Sequence, residues 1–77
     1  MDRKQLEALL KSKNIRPDAY SLYGGLPNEA YCIDGKNGVW KVYYSERGTA
    51  GSTMRFDTEA GACDYFYNWI MSDGSGK

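Results

Sequence analysis

Side chains that commonly perform chemistry are scarce in this sequence. The chain contains no histidine, which is a frequent general base and zinc ligand, and its cysteines and acids never recur at the spacing of a metal site. The carboxylates that could act as general acids or bases fall on predicted turns, helix starts and exposed helix faces: Asp34, Glu46, Asp57, Glu59 and Asp64. The sequence therefore predicts no catalytic residues, no metal and no cofactor.

The two cysteines, Cys32 and Cys63, each lie within an apolar segment. A free cysteine in such a segment behaves as a small hydrophobic residue, and two cysteines are too few for a small secreted scaffold. We therefore expect two reduced packing residues. A disulfide between Cys32 and Cys63 is the alternative, and a catalytic thiol is less favoured because no histidine is present to activate it.

One glycine-rich segment, Gly48-Thr49-Ala50-Gly51-Ser52-Thr53, has some features of a phosphate-binding loop. Such a loop needs a lysine directly before the Ser or Thr and a helix directly after it, so that helix N-terminal amides face the phosphates. Here a glycine precedes Ser52, and a strand is predicted to follow. The segment is interpreted as a turn.

Aromatic side chains are in excess. The chain has seven tyrosines and two tryptophans, and Tyr, Trp and Arg are the residues that most often anchor protein interfaces. Two of the tyrosines are predicted to share the outer sheet face with basic residues, and two charged residues lie in the turn at the edge of that face. The candidate partner-binding residues are Tyr23, Lys41, Tyr43, Glu46, Arg47 and Arg55. A purely structural role is the alternative, because Tyr and long basic side chains often simply cover an exposed sheet face.

The charge balance gives no general attraction to nucleic acid or anionic lipid. Ten basic residues offset ten acidic ones, and the pI is about 6.1. No apolar run approaches the roughly 20 residues of a membrane span, and the first ten residues alternate charge with leucine where a signal peptide would be apolar. We expect a cytoplasmic protein with no membrane partner, and nucleic acid is disfavoured as a partner.

Length and pattern predict one domain over residues 1–72 and a flexible tail at residues 73–77. The first element is an amphipathic helix of about 11 residues, because Asp2 and Gln5 have the form of a capping box and leucines then recur at helical spacing. Asn14 and Pro17 are expected to end it.

Alternating residues predict short strands at residues 19–23, 30–34, 39–44 and 52–56. The turn cluster from Asp34 to Gly38 predicts a hairpin between the second and third strands. A second helix is predicted over residues 59–71 with its N-cap at Asp57 or Thr58. Its buried stripe is expected to contain Ala62, Cys63, Phe66, Trp69 and Ile70.

This order predicts an α+β domain: a helix, a three- or four-stranded antiparallel sheet and a helix, with both helices on one sheet face. The residues expected on that inner face are Tyr20, Leu22, Tyr31, Ile33, Trp40, Val42, Tyr44, Met54 and Phe56. The opposite, outer face is expected to be solvated. This assignment places Cys32 on the outer face, against its usual preference for burial.

Three stretches of the chain resemble small bacterial immunity proteins encoded beside polymorphic or contact-dependent inhibition toxins. They are YSLYGGLPNEAYC at residues 20–32, VYYSERG at residues 42–48 and FDTEAGAC at residues 56–63. The resemblance implies a cytosolic protein that binds and neutralises a cognate toxin domain, often a nuclease, without catalysing a reaction. It assigns no binding residues.

The order of elements also resembles the double-stranded RNA-binding domain. That family contacts phosphate through basic residues at the start of its last helix, whereas this chain has Asp57 and Glu59 there. These acids would repel phosphate. A nucleic-acid-binding module is therefore kept as the alternative.

Overall fold

A computed structural model describes residues 1–72, so the tail predicted at residues 73–77 lies outside the described residues. The elements are helix α1 (Arg3–Ser12), a 3-10 turn (Pro17–Ala19), strands β1 (Tyr20–Ser21), β2 (Ala30–Lys36), β3 (Val39–Glu46), β4 (Thr49–Ala50) and β5 (Met54–Phe56), and helix α2 (Glu59–Ser72). The predicted α+β order is confirmed. The 3-10 turn and β4 were not predicted.

Both helices begin at capping residues that the sequence indicated. The Asp2 carboxylate accepts the Gln5 N–H at 2.8 Å, and the Gln5 side chain accepts the Asp2 N–H at 3.0 Å, which completes a capping box. Of the two candidate caps of α2, Thr58 is the one used, because its hydroxyl accepts the Gly61 N–H at 3.1 Å. After α1, Asn14 adopts a left-handed conformation with φ of 60°, and the helix ends.

The sheet is mixed, which corrects the prediction of a purely antiparallel sheet. β1 pairs with β2 in parallel, whereas β2 and β3 are antiparallel. After β1, residues 22–29 bring the chain back to start β2 in the same direction, and Gly24, Gly25 and Leu26 pass over the outer face of the sheet. We call this segment the cover loop. Parallel strands are usually connected by a helix. Because β1 has only two residues, a short loop is enough to connect it to β2.

β3 is the central strand and is joined to its neighbours by two tight hairpins. Asn37 and Gly38 have φ values of 54° and 78°, and Arg47 and Gly48 have φ values of 52° and 78°. Two successive positive φ angles define the turn type whose twist matches paired strands. The first hairpin confirms the predicted turn cluster.

β4 and β5 pair with different parts of β3, and the register shifts by one residue between them. Ser45 pairs with Ala50, whereas Val42 pairs with Met54. One extra residue in residues 51–53 therefore forms a bulge, which reverses the alternation of side chains in β5. As a result Arg55 points to the outer face, as predicted.

The core lies between α1, α2 and the inner face of the sheet. Its buried members are Leu6, Leu10, Ile15, Leu22, Tyr31, Ile33, Val42, Ala62, Cys63, Phe66 and Ile70. The predicted inward orientation of Trp40 is confirmed, and its indole covers Gly35 so closely that a Cβ there would lie 2.5 Å from the ring. Met54 is an exception to the predicted core, because it is 46% exposed.

Candidate functional site

The outer face of the sheet is divided into two halves. In the covered half, Ala30, Cys32, Tyr43 and Ser45 are buried, although they point away from the helices. In the open half, the outward residues remain accessible, including Lys41 and Arg55. The prediction that this whole face is solvated is therefore wrong for one half.

The cover loop buries Tyr43, which the sequence placed among exposed partner-binding residues. Tyr43 is 7% exposed, and its hydroxyl donates a hydrogen bond of 2.7 Å to the Gly25 carbonyl. Burial, reinforced by the neighbouring Cys32 and Asp34, raises the pKa of Tyr43 to about 12. Tyr43 is thus a packing residue that holds the cover loop against the sheet. The prediction that Tyr43 is exposed is wrong.

The same cover resolves the conflict over Cys32, which is outward-facing and yet fully buried. Cys63 is also fully buried but belongs to the helix-side core, and both cysteines are free. Because they lie on opposite faces of the sheet, the Cys32–Cys63 disulfide is not formed. Burial raises the pKa of each thiol to about 11, which keeps both protonated at neutral pH.

Three charged side chains form a row across the open half. Asp34 on β2 pairs with Lys41 on β3, and Lys41 pairs with Arg55 on β5. Two adjoining depressions of about 310 and 340 Å³ share these three residues. We call the combined depression the open groove. Its other lining residues are Gly25, Leu26, Lys36, Asn37, Val39, Tyr43, Ala50 and Thr53.

The open groove is locally basic, although the chain as a whole is neutral. Lys36, Lys41 and Arg55 supply three positive charges against the single carboxylate of Asp34. Within residues 1–72, none of these three cations makes a hydrogen bond or an ion pair through its side chain. Their charge is therefore available to a ligand or partner. Leu26 is 53% exposed and adds an apolar rim.

The remaining predicted binding residues lie outside the open groove. Tyr23 is 69% exposed, but its ring lies on the helix side, 4.6 Å from the Arg3 guanidinium. Glu46 and Arg47 are exposed at the hairpin between β3 and β4. Of the six predicted residues, the structure thus brings Lys41 and Arg55 together, with Tyr43 in the wall of the groove.

Arg3 is a connecting residue that sequence reasoning missed. Its guanidinium lies over the rings of Tyr23 and Trp40 and donates to the Leu22 carbonyl at 3.1 Å. Its backbone N–H donates to a Glu59 carboxylate oxygen at 2.9 Å. Glu59, at the start of α2, is therefore bonded to α1. Its carboxylate occupies the N-terminal end of α2, where a phosphate would otherwise be attracted by the helix dipole.

Sequence reasoning also missed Asp34 and Leu26 as groove residues. The position of Asp34 could have been found, because counting back from the turn at Asn37 and Gly38 places it opposite Lys41. Leu26 gave no such signal, since its place depends on how the cover loop crosses the sheet.

A second aromatic surface lies on the helix side beside β5. The ring of Tyr65, which is 37% exposed, lies 5.3 Å from that of Phe56 and 6.1 Å from that of Trp69. Trp69 in turn packs edge-on against Tyr31 at 4.6 Å. This row carries aromatic surface from the core to the edge of the sheet at β5.

The glycine-rich segment at residues 48–53 forms a hairpin end, β4 and the bulge, and β5 rather than a helix follows it. The described residues contain no group of three or more acids and cysteines placed to hold a metal ion. None of the helices within residues 1–72 has the length and apolar character needed to cross a membrane.

Comparisons of the chain with protein-family models, with curated proteins and with solved structures found no match. The resemblance to immunity proteins therefore stays a prediction from the sequence alone.

Proposed function

We propose that this domain is a non-catalytic protein-binding module and that its interface is centred on the open groove. The observation that carries this proposal is the contrast within the outer face: one half is covered, while the other keeps Lys41 and Arg55 exposed, with no side-chain partner for either among residues 1–72. Arginine beside apolar surface is a common anchor of protein interfaces. The rim at Leu26 supplies such surface.

In this proposal the domain acts as an immunity-type inhibitor in the cytoplasm, binding a toxin domain and blocking its substrate site. The charge of the open groove favours a partner surface that is acidic. A non-catalytic role is supported by the two cysteines, because raised pKa values make both thiols poor nucleophiles.

The test is binding to the protein encoded by the adjacent gene, measured by calorimetry after the two are produced together. Lys41→Ala and Arg55→Ala are each expected to weaken the complex by about 2 kcal/mol if they are central anchors. Arg16→Ala is the matched control. Arg16 is also exposed but lies outside the open groove, where its Nε is 3.0 Å from an Asp18 carboxylate oxygen. Unchanged affinity for both groove variants would reject this surface.

Nucleic-acid binding is the second candidate, because three cations in the open groove outnumber its one acid. Asp34 in the middle of the row and the neutral net charge oppose it. We expect duplex RNA or DNA to bind no tighter than roughly 10⁻⁴ M at physiological salt. Micromolar binding with a steep salt dependence in a mobility-shift titration would reverse this ranking.

A further inference from the structure

β5 forms an edge of the sheet, since within residues 1–72 it pairs only with β3. Which of its backbone groups are free follows from the hairpins. A two-residue hairpin loop closes on a hydrogen-bonded pair, here Lys36 with Val39 on one side of β3 and Glu46 with Thr49 on the other. Hydrogen-bonding direction alternates along an antiparallel strand. The even-numbered residues of β3 therefore bond β4 and β5.

A hydrogen bond of 2.8 Å from the Gly51 N–H to the Tyr44 carbonyl agrees with this alternation. Val42 and Trp40 accordingly bond Met54 and Phe56, their partners in register. The intervening Arg55 then turns both its N–H and its carbonyl to the open edge. This edge can accept one further strand.

The side chains around that edge determine what kind of strand would fit. On the outer face, Arg55 lies beside Lys41, so the residue opposite Arg55 would meet positive charge. On the inner face, Met54 and the contacting rings of Phe56 and Tyr65 form an apolar surface. The two residues that flank the central one would face this surface, because side chains alternate along a strand.

A second copy of the chain does not suit this edge. In the register that pairs all three residues of each β5 strand, antiparallel pairing about a twofold axis would place Arg55 directly opposite Arg55 of the other copy. Like charges in directly opposed positions destabilise a sheet. The complementary occupant is instead a strand of a different protein with an acid at the central position.

We propose that the partner adds a strand to β5, with an apolar–acidic–apolar sequence whose acid pairs with Arg55. This inference rests on the proposed protein-binding function and specifies its mode. The added strand exchanges both backbone hydrogen bonds with Arg55 and places its flanking side chains against Met54, Phe56 and Tyr65.

The test uses two blocked pentapeptides, Thr-Val-Glu-Val-Thr and Thr-Val-Lys-Val-Thr, titrated into the isotope-labelled protein and followed by NMR. The glutamate peptide is expected to bind about fivefold more tightly, because its acid pairs with Arg55 where lysine is repelled. The largest shift changes are expected at the Arg55 amide and at Met54, Phe56 and Tyr65. Exchange of the Arg55 amide with solvent should slow on binding.

Arg55→Glu should reverse the preference, so that the lysine peptide binds more tightly. Arg47→Glu is the matched control, since it makes the same charge change in an exposed turn outside β5, and it should leave the glutamate preference intact. Circular dichroism checks that both variants fold.

Absence of binding, equal binding of the two peptides by the wild type, or an unchanged preference in Arg55→Glu would overturn strand addition. If the intact partner still bound and Lys41→Ala still weakened it, the proposed function would stand without this mode. If the peptide preference were absent and Lys41→Ala also left binding of the intact partner unchanged, both strand addition and the proposed function would be rejected.

Discussion

The two halves of the outer sheet face belong to the same strands but have different surroundings. On β3, Tyr43 is buried under the cover loop, while Lys41, two residues away on the same face, is exposed. On β2 the contrast is smaller, because Cys32 is fully buried and Asp34 is half-buried. Alternation along a strand therefore determines which face a side chain joins, but a segment outside the strand determines whether that side chain is core or surface.

The largest expected effect is a difference in stability between substitutions in the covered half and in the open half. Tyr43→Ala removes a buried aromatic ring and the bond to Gly25, and it should lower the free energy of unfolding by about 3 kcal/mol. Lys41→Ala should change it by less than about 0.5 kcal/mol, since Lys41 is exposed. Urea unfolding followed by circular dichroism measures both. Equal effects would mean that the cover loop does not stabilise the fold.

Alkaline pH should destabilise the covered half through Cys32. Burial raises its pKa from 9.0 to about 11, so at pH below 9 the folded and unfolded states both hold the proton. As pH rises from 9 to 11, the unfolded state loses its proton first and stability falls, by up to about 3 kcal/mol for this group. Tyr43 adds a similar loss between pH 10 and about 12.

The measurement is urea unfolding at pH 8, 9.5 and 11 under reducing conditions, for the wild type and for Cys32→Ala. The variant should lose less stability with rising pH, although Cys63 still contributes, because its pKa is also raised to about 11. Parallel pH profiles for the two proteins would show that Cys32 is accessible to water.

Two adjacent glycines test how the cover loop meets the open groove. Gly24 and Gly25 both have positive φ, 79° and 86°, so alanine at either position should cost about 1 kcal/mol in backbone strain. A Cβ at Gly24 would also lie 2.7 Å from the Asp34 carboxyl carbon, whereas nothing lies within 4 Å at Gly25. Gly24→Ala should therefore destabilise by about 1 kcal/mol more than Gly25→Ala. Equal melting temperatures would contradict this contact.

The fold was largely predictable because its determinants are local. The capping box at Asp2 and the turn at Asn37 and Gly38 depend on neighbouring residues alone. Arg55 was also correctly placed outward, although the bulge that puts it there was not predicted.

The candidate site was less predictable because the cover loop acts across the sheet. No local pattern indicates that Gly25 receives the Tyr43 hydroxyl or that Leu26 reaches the rim of the open groove. The parallel pairing of β1 has the same origin, since the path of residues 22–29 sets its direction. The prediction of an exposed side chain is therefore wrong for Tyr43 and confirmed for Lys41.

The smallest expected effect is at Ser45, in the covered half. Its hydroxyl is fully buried and has no hydrogen-bond partner within residues 1–72. Because Ser45→Ala removes an unsatisfied polar group and little volume, it should be neutral or should stabilise the protein by up to about 1 kcal/mol. Thermal unfolding measures this change. A loss above 1 kcal/mol would indicate that the hydroxyl is hydrogen-bonded in solution.

The most direct test of the account is amide hydrogen exchange of the domain, free and bound to the protein encoded by the adjacent gene. If the open groove is the interface, exchange should slow at residues 39–41 and 53–57 in the complex. The covered half at residues 30–32 and 43–45 should change little. Protection confined to the outward surfaces of α1 and α2, with residues 39–41 and 53–57 unchanged, would contradict the proposed interface.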